Sequence, residues 1–286
     1  MPWRESVPAQ RLAGDASATL HCLASTSLVR FYRRLRLRLP QPWSRRLGQL
    51  LYLPRLASGH RDTRREFAEE KVIVRLVDSS QPLAAVGAGL SERVIEIPWV
   101  LRRVGALRGD RVLDIGTAFS PMIYKWLLVR LPQSVEAVDL AAADIPGIRS
   151  HLADVRSLPL DSDRFDVAIC LSTLEHIGMD NAQYRVASGG GGDVEALREL
   201  GRVARRVLVT VPAGADLDMG WQRQYTPSTF REAVRKAGLQ VERLDVFAHD
   251  PVDGWKPAAE DSIGDRSYGE GAIAAAASIC AELRRP

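Results

Sequence analysis

The sequence predicts an α/β fold: a mostly parallel sheet of seven strands with helices on both faces, preceded by a basic helical extension. Two observations predict it. Short apolar runs alternate with helix-length amphipathic segments over residues 91–247, which is the pattern of strands joined by crossover helices. An acid or a hydroxyl also stands at the end of four of those runs, namely Asp114, Asp139, Asp154 and Ser172. Parallel sheets bind ligands at the carboxyl ends of their strands.

Taken in order, residues 91–105 (SERVIEIPWVLRRVG) predict a helix capped by Ser91, with Pro98 inside it or at a break. Residues 112–115 are a short apolar run ending in Gly116, a buried strand, and residues 121–131 (PMIYKWLLVRL) are a helix with proline in its first turn. Residues 135–140 form a second strand, and residues 147–152 lead into a third that ends at Asp154. Residues 165–171 (FDVAICL) are a strongly apolar strand, 193–204 an amphipathic helix and 207–211 (VLVTV) the next strand. A helix over 228–237 closes at Gly238, where a left-handed cap is expected. Strands over 239–247 and 272–283 complete the seven.

The 286 residues suit one domain, residues 66–286, with an appendage, residues 1–65. A hydrophobic content of 46% supports a sizeable core. Cys22, Cys170 and Cys280 form no CxxC pair, so neither a zinc site nor a disulfide framework is suggested, and a reducing, cytoplasmic setting fits. No apolar run approaches the ~18 residues of a membrane span, and no secretory signal is expected. Residues 1–27 are Ala/Ser-rich and read as weakly ordered. No acid lies between Asp15 and Asp62, a stretch holding nine arginines; elsewhere 30 basic side chains face 35 acidic ones. Residues 28–56 mix those arginines with Leu, Phe, Tyr and Trp. Three readings stay open for this arm: a membrane-surface element, a nucleic-acid-binding segment or a solvated helical cover. Nucleic acid is the disfavoured partner, because the domain itself is net acidic.

In order and spacing, four segments resemble class I S-adenosylmethionine (SAM)-dependent methyltransferases: RVLDIGTAFSP at 111–121, VEAVDL at 135–140, HLADVRSLPL at 151–160 and DRFDVAICLSTLEHI at 163–177. More narrowly, SERVIEIPWVL, STLEHIG, GGDVEALREL and TVPAG resemble bacterial methyltransferases of polysaccharide and glycolipid biosynthesis. The resemblance implies a Rossmann-like sheet, SAM as cofactor and a hydroxyl on a small-molecule or glycan acceptor; some relatives bind a metal through Glu-x-x-Glu-His, but Ser172 takes the first position here, so no metal is expected. A lipid-linked acceptor would give the arm a purpose at the inner face of the membrane. Asp114, with Gly116 and Thr117, would face the methionine end of the cofactor. Asp139, beside Leu140, would accept from the ribose hydroxyls. Asp154 and the Val155 backbone would meet adenine, and Leu171 and Ser172 would complete the site. His176, paired with Glu175, is the candidate general base. Trp221, Arg223 and Tyr225 are the candidate acceptor-binding wall, and residues 189–192 a candidate lid.

Two departures stand out. The family's usual G-x-G-x-G is here G-T-A-F-S-P, so Gly116 alone matches, and the K-P-G-G turn before the fifth strand is missing. Three other functions compete. An NAD(P)-dependent sugar oxidoreductase would need G-x-G-x-x-G after the first strand, and an RNA methyltransferase would carry an Asn-Pro-Pro-Tyr type motif where residues 171–175 read LSTLE. The third is a degenerate methyltransferase fold acting as a membrane-associated partner, which the thin glycine motif favours.

Overall fold

In the computed structural model, residues 61–286 are described apart from 144, 182–183, 185–191 and 270–273. The basic arm over 28–56 and most of the candidate lid lie outside the described residues. Among the described residues no helix is long and apolar enough to cross a membrane.

The elements run α1 (Arg61–Val77), α2 (Arg93–Ala106), β1 (Arg111–Ile115), α3 (Met122–Val129), β2 (Ser134–Asp139), β3 (Arg149–Leu152), β4 (Phe165–Leu171) and α4 (Gly192–Val203). There follow β5 (Ala204–Pro212), a two-strand hairpin of β6 (Leu217–Asp218) and β7 (Arg223–Gln224), α5 (Pro227–Lys236), β8 (Gln240–Asp250), β9 (Gly254–Pro257) and β10 (Ala277–Arg284). The main sheet has the order β3-β2-β1-β4-β5-β10-β8-β9. The first five strands pair in parallel, while β10 is antiparallel to both β5 and β8. The sheet is therefore Rossmann-like and mostly parallel, as expected, but it has eight strands rather than seven. The addition is β9, four residues paired antiparallel to β8. It ends in Pro257, which has no N–H to give to a ladder and so suits the end of an edge strand.

Central strands are buried on both faces, and the side-chain alternation divides them. Leu113, Ile115, Ala168, Cys170, Val207 and Val209 join α4 and α5 in one apolar cluster. The alternate residues, including Asp114, Glu282 and Ser278, meet α2 and α3 on the other side. Helix α2 is buried almost throughout, from Val94 to Leu101, and carries Pro98 inside it. Its capping position is Glu92, not Ser91, and the cap makes no side-chain hydrogen bond. The Ser91 amide instead donates to Glu69 on α1, at 2.9 Å. Strand β3 stops at Leu152, short of Asp154. Helix α5 closes as expected, with Gly238 at φ +77°.

Candidate active site

Four strand ends converge at the carboxyl edge of β1, β2, β3 and β4. At the first, Gly116 has φ +81°, and a Cβ there would lie 2.3 Å from Thr173 Oγ1 on the β4 turn. Glycine is thus required by conformation and by space. Asp114 is fully buried. The Tyr124 hydroxyl donates to its Oδ1 at 2.5 Å, and the Thr117 hydroxyl to its Oδ2 at 2.5 Å. Burial pushes the Asp114 carboxyl up to about 7 even against those two donors, and the nearby Asp139 acts in the same direction. Asp114 and Thr117 therefore lie beneath the site and line neither of its cavities.

The loop that lacks the usual glycines is shaped by other bonds. The Ala118 amide donates to Asp139 at 2.7 Å, Ser120 Oγ to the Gly116 carbonyl at 3.0 Å, and Lys125 Nζ to the Ala118 carbonyl at 2.5 Å. The ring of Phe119 is left 54% exposed. Asp139, at the end of β2, also accepts from the Ala141 amide at 3.0 Å and from the Tyr184 hydroxyl. A carboxylate has about four acceptor positions, so one stays available. Exposed Leu140 adjoins it. Asp154 is gripped by Arg156, with Nη2 at 2.7 Å and the main-chain amide at 2.9 Å. That guanidinium holds the Asp154 carboxyl below the usual range. Val155 beside it is buried.

The β4 turn is built differently. Ser172 takes φ +40° and donates to Glu96 Oε2 at 3.0 Å. Thr173 Oγ1 donates to the Leu171 carbonyl at 3.0 Å. A single 3-10 turn, Leu174–His176, then presents the histidine. His176 Nδ1 lies 3.0 Å from the Trp221 carbonyl. A carbonyl only accepts, so Nδ1 carries the proton and Nε2 holds the lone pair. Burial lowers the His176 pKa from 6.5, and the Trp221 carbonyl opposes that shift. The imidazole is neutral near pH 7, and its ring stacks on Trp221 with centroids 5.7 Å apart at 27°.

Two cavities meet here. One, of about 90 Å³, is lined by Gly116, Asp139, Leu140, Asp154, Val155 and His176 among others. The second, of about 420 Å³, is lined by Arg93, Phe119, Leu171, Ser172, His176 and Trp221 among others. Gly116, Thr173, His176, Asn181 and Tyr184 belong to both walls. Trp221 is the one member of the expected acceptor-binding wall that lines the second cavity. Arg223 Nη1 is paired with Asp193 at 2.6 Å, and the buried Tyr225 donates to the same oxygen at 3.0 Å. The hairpin explains the split. Residues 223–224 pair with 217–218, Tyr225 bridges to Ala213, and both are drawn toward the core, while Trp221 follows the turn at Gly220 and stays outside.

Sequence reasoning missed the N-terminal end of α2. Arg93 lines the second cavity and binds Glu96 at 2.5 Å. Glu96, fully buried, also accepts from Ser278 at 2.8 Å, and Glu92 accepts from the Ala275 amide at 3.2 Å. Glu175 is buried near them, pushed up to about 8 chiefly by that burial, and its Oε2 has no hydrogen-bond partner. Glu175 lines neither cavity. The available signal was ERVIE at 92–96, three charges in a segment otherwise suited to burial. Among the described residues no group of three or more His, Cys, Asp or Glu side chains is gathered for a metal ion.

No protein-family profile matches the chain. A curated relative, the ubiquinone biosynthesis O-methyltransferase of Bordetella avium, is 22% identical over 182 residues, covering 55% of this chain and 73% of its own length. Among solved structures, the Burkholderia thailandensis 1,6-didemethyltoxoflavin-N1-methyltransferase, with 1,6-didemethyltoxoflavin and S-adenosylhomocysteine bound, is similar with a TM-score of 0.45 at 15% identity. That match covers 86% of this chain and 91% of the other. A SAM-dependent methyltransferase of Thermotoga maritima matches with a TM-score of 0.43 at 15% identity, over 82% of this chain and 98% of its own.

Proposed function

We propose that this chain is a SAM-dependent methyltransferase that methylates a hydroxyl of a small-molecule acceptor, with His176 as general base. One observation carries the reading: a neutral histidine, its tautomer fixed by the Trp221 carbonyl, stands in the wall shared by the two cavities.

The residues of the smaller cavity suit the cofactor. Gly116 keeps open a space that a Cβ would fill. Asp139 retains an acceptor position, and exchanging the Tyr184 hydroxyl for a ribose hydroxyl frees a second. Leu140 and Val155 offer apolar surface for a purine. Bound SAM supplies an electrophilic methyl group on a sulfonium. An acceptor hydroxyl in the larger cavity would give its proton to His176 Nε2 and take the methyl, its O–CH3 bond forming as the S–CH3 bond breaks to leave S-adenosylhomocysteine. The imidazole becomes a cation, and its Nδ1–H bond to the Trp221 carbonyl strengthens as the charge develops. Asp114 and Thr117 support the cofactor turn from below, and Glu175 lies buried behind the β4 turn.

The glycan acceptor implied by the sequence resemblance has narrower support, since Arg223 and Tyr225 are committed to Asp193 and Trp221 alone offers a face. Titration calorimetry with S-adenosylhomocysteine tests the reading. We expect saturable 1:1 binding, weakened about 10- to 100-fold in Asp139→Ala, the loss expected when hydrogen bonds to a charged group are removed. Wild-type protein that binds no S-adenosylhomocysteine would sink it and leave the degenerate-fold alternative.

A further inference from the structure

We propose that the acceptor is a phenol, a flat aromatic ring held between Phe119 and Trp221 with its hydroxyl at His176. This rests on the methyltransferase reading of the site and narrows it to one substrate class.

Shape supports it first. Among the described residues, five large apolar side chains are exposed, and the two aromatic ones, Phe119 and Trp221, both line the larger cavity. Exposed apolar surface gathered in a concave site marks a binding surface. Each ring is fixed by a neighbour. Tyr184 meets Phe119 edge-on at 5.1 Å, while Trp221 has His176 stacked beside it and Tyr268 edge-on at 5.7 Å. Preset aromatic walls favour a rigid planar guest, which loses little freedom on binding. A cavity of about 420 Å³ accommodates one or two fused rings.

Charge comes next. Among the described residues Arg93 is the cation that lines this cavity, and Glu96 answers it at 2.5 Å with Glu92 and Glu175 close by. Among the described residues, then, the one cation lining the cavity is already compensated, which favours a neutral ring over an acceptor carboxylate or phosphate.

Acidity then separates phenols from sugars. A buried histidine is a weak base. Even from the ordinary histidine value of 6.5, which burial lowers, taking a proton from a phenol of pKa ~10 is unfavourable by a factor of more than about 10³, and a less acidic aliphatic hydroxyl, up to ~15.7 for water itself, makes that factor orders of magnitude larger. A sugar could also lie against Trp221, but this base suits its hydroxyl poorly.

The test uses the full chain with methyl-labelled SAM and two probes, catechol and methyl glucopyranoside. Catechol should be methylated at least 100-fold faster. Trp221→Ala should raise the KM for catechol at least tenfold and leave S-adenosylhomocysteine affinity within about twofold, because the carbonyl that holds His176 is main-chain and survives. The proposal is overturned by glucoside methylation as fast as that of catechol, or by protein that binds S-adenosylhomocysteine and methylates no catechol. Failure to bind S-adenosylhomocysteine at all sinks the methyltransferase reading instead.

Discussion

The turns after β1 and β4 sit side by side, touch through Gly116 and Thr173, and use their polar side chains in opposite ways. After β1, Asp114 has an internal donor on each oxygen and reaches neither cavity. After β4, His176 spends one nitrogen on a main-chain carbonyl and keeps the other. The difference follows from backbone geometry. Asp114 leaves its strand sideways, toward the face that α3 covers, so Tyr124 meets it. His176 leaves a 3-10 turn beyond the strand end, where both cavities open. A polar residue at a strand end is chemically available only when its side chain is directed past the sheet rather than into a layer.

The largest expected effect tests the β4 turn. His176→Gln should lower kcat/KM for catechol by about 10²- to 10⁴-fold, the usual contribution of a positioned base, with S-adenosylhomocysteine affinity nearly unchanged. For the wild type, kcat/KM should fall with acid on a limb centred below pH 6.5, since burial lowers the His176 pKa and the neutral form is the base. A nitrocatechol already ionised at pH 8 should lose far less in the variant. An equal loss for both acceptors would mean that His176 only shapes the cavity.

The sequence made this contrast half legible. Strand β4 runs over 165–171 as expected, because a run of seven residues that is apolar but for Asp166, set between turn residues, has few alternatives to a doubly buried strand. The ends of β1, β2 and β4 were legible within a residue, whereas β3 stops two residues before Asp154. What could not be read was the direction of each side chain, because facing depends on register against neighbours distant in sequence. Asp114 looked like a ligand-facing acid, since nothing near it in sequence announces that Tyr124 will close over it. Trp221, Arg223 and Tyr225 looked like one wall because aromatic faces and a guanidinium suit polyhydroxylated ligands, but nothing local to them announces that Asp193 will claim both Arg223 and Tyr225. Strand β9 escaped because four residues ending in proline carry no period. The carboxylates of α2 escaped because a buried charge is read as an exposed one until its partners are known.

The β1 turn should respond in stability rather than in rate. Tyr124→Phe removes the donor to Asp114 Oδ1 in a fully buried setting. A loss of about 1–3 kcal/mol is expected for a buried acceptor left short of its partner, read in chemical denaturation. The variant should bind S-adenosylhomocysteine within about twofold of wild type at a temperature where both are folded. A tenfold loss of affinity without destabilisation would reverse the comparison and make Asp114 a ligand-facing group after all.

The smallest effect concerns Glu175, which lies on the β4 turn but behaves like Asp114. Folding raises its carboxyl from 4.5 to about 8, first by burial and further through Glu96, so the folded state holds the proton more tightly than the unfolded one. That contribution to stability is complete below pH 4.5 and is lost as the pH rises through 8. Asp114, raised from 3.8 to about 7, adds a slope of the same sign that ends at lower pH. Melting temperature should therefore fall between pH 5 and pH 8.5, with the portion above pH 7 belonging mainly to Glu175. Glu175→Gln cannot ionise, so it should flatten the portion above pH 7 and about halve the slope below it, where Asp114 remains. At pH 8.5 the variant should melt a few degrees above wild type, a gain on the order of 1 kcal/mol. Parallel curves for the two proteins would show that Glu175 is charged in the folded state, with Arg93 as its counter-ion. The β4 turn would then differ from the β1 turn in its buried acid as well as in its exposed base.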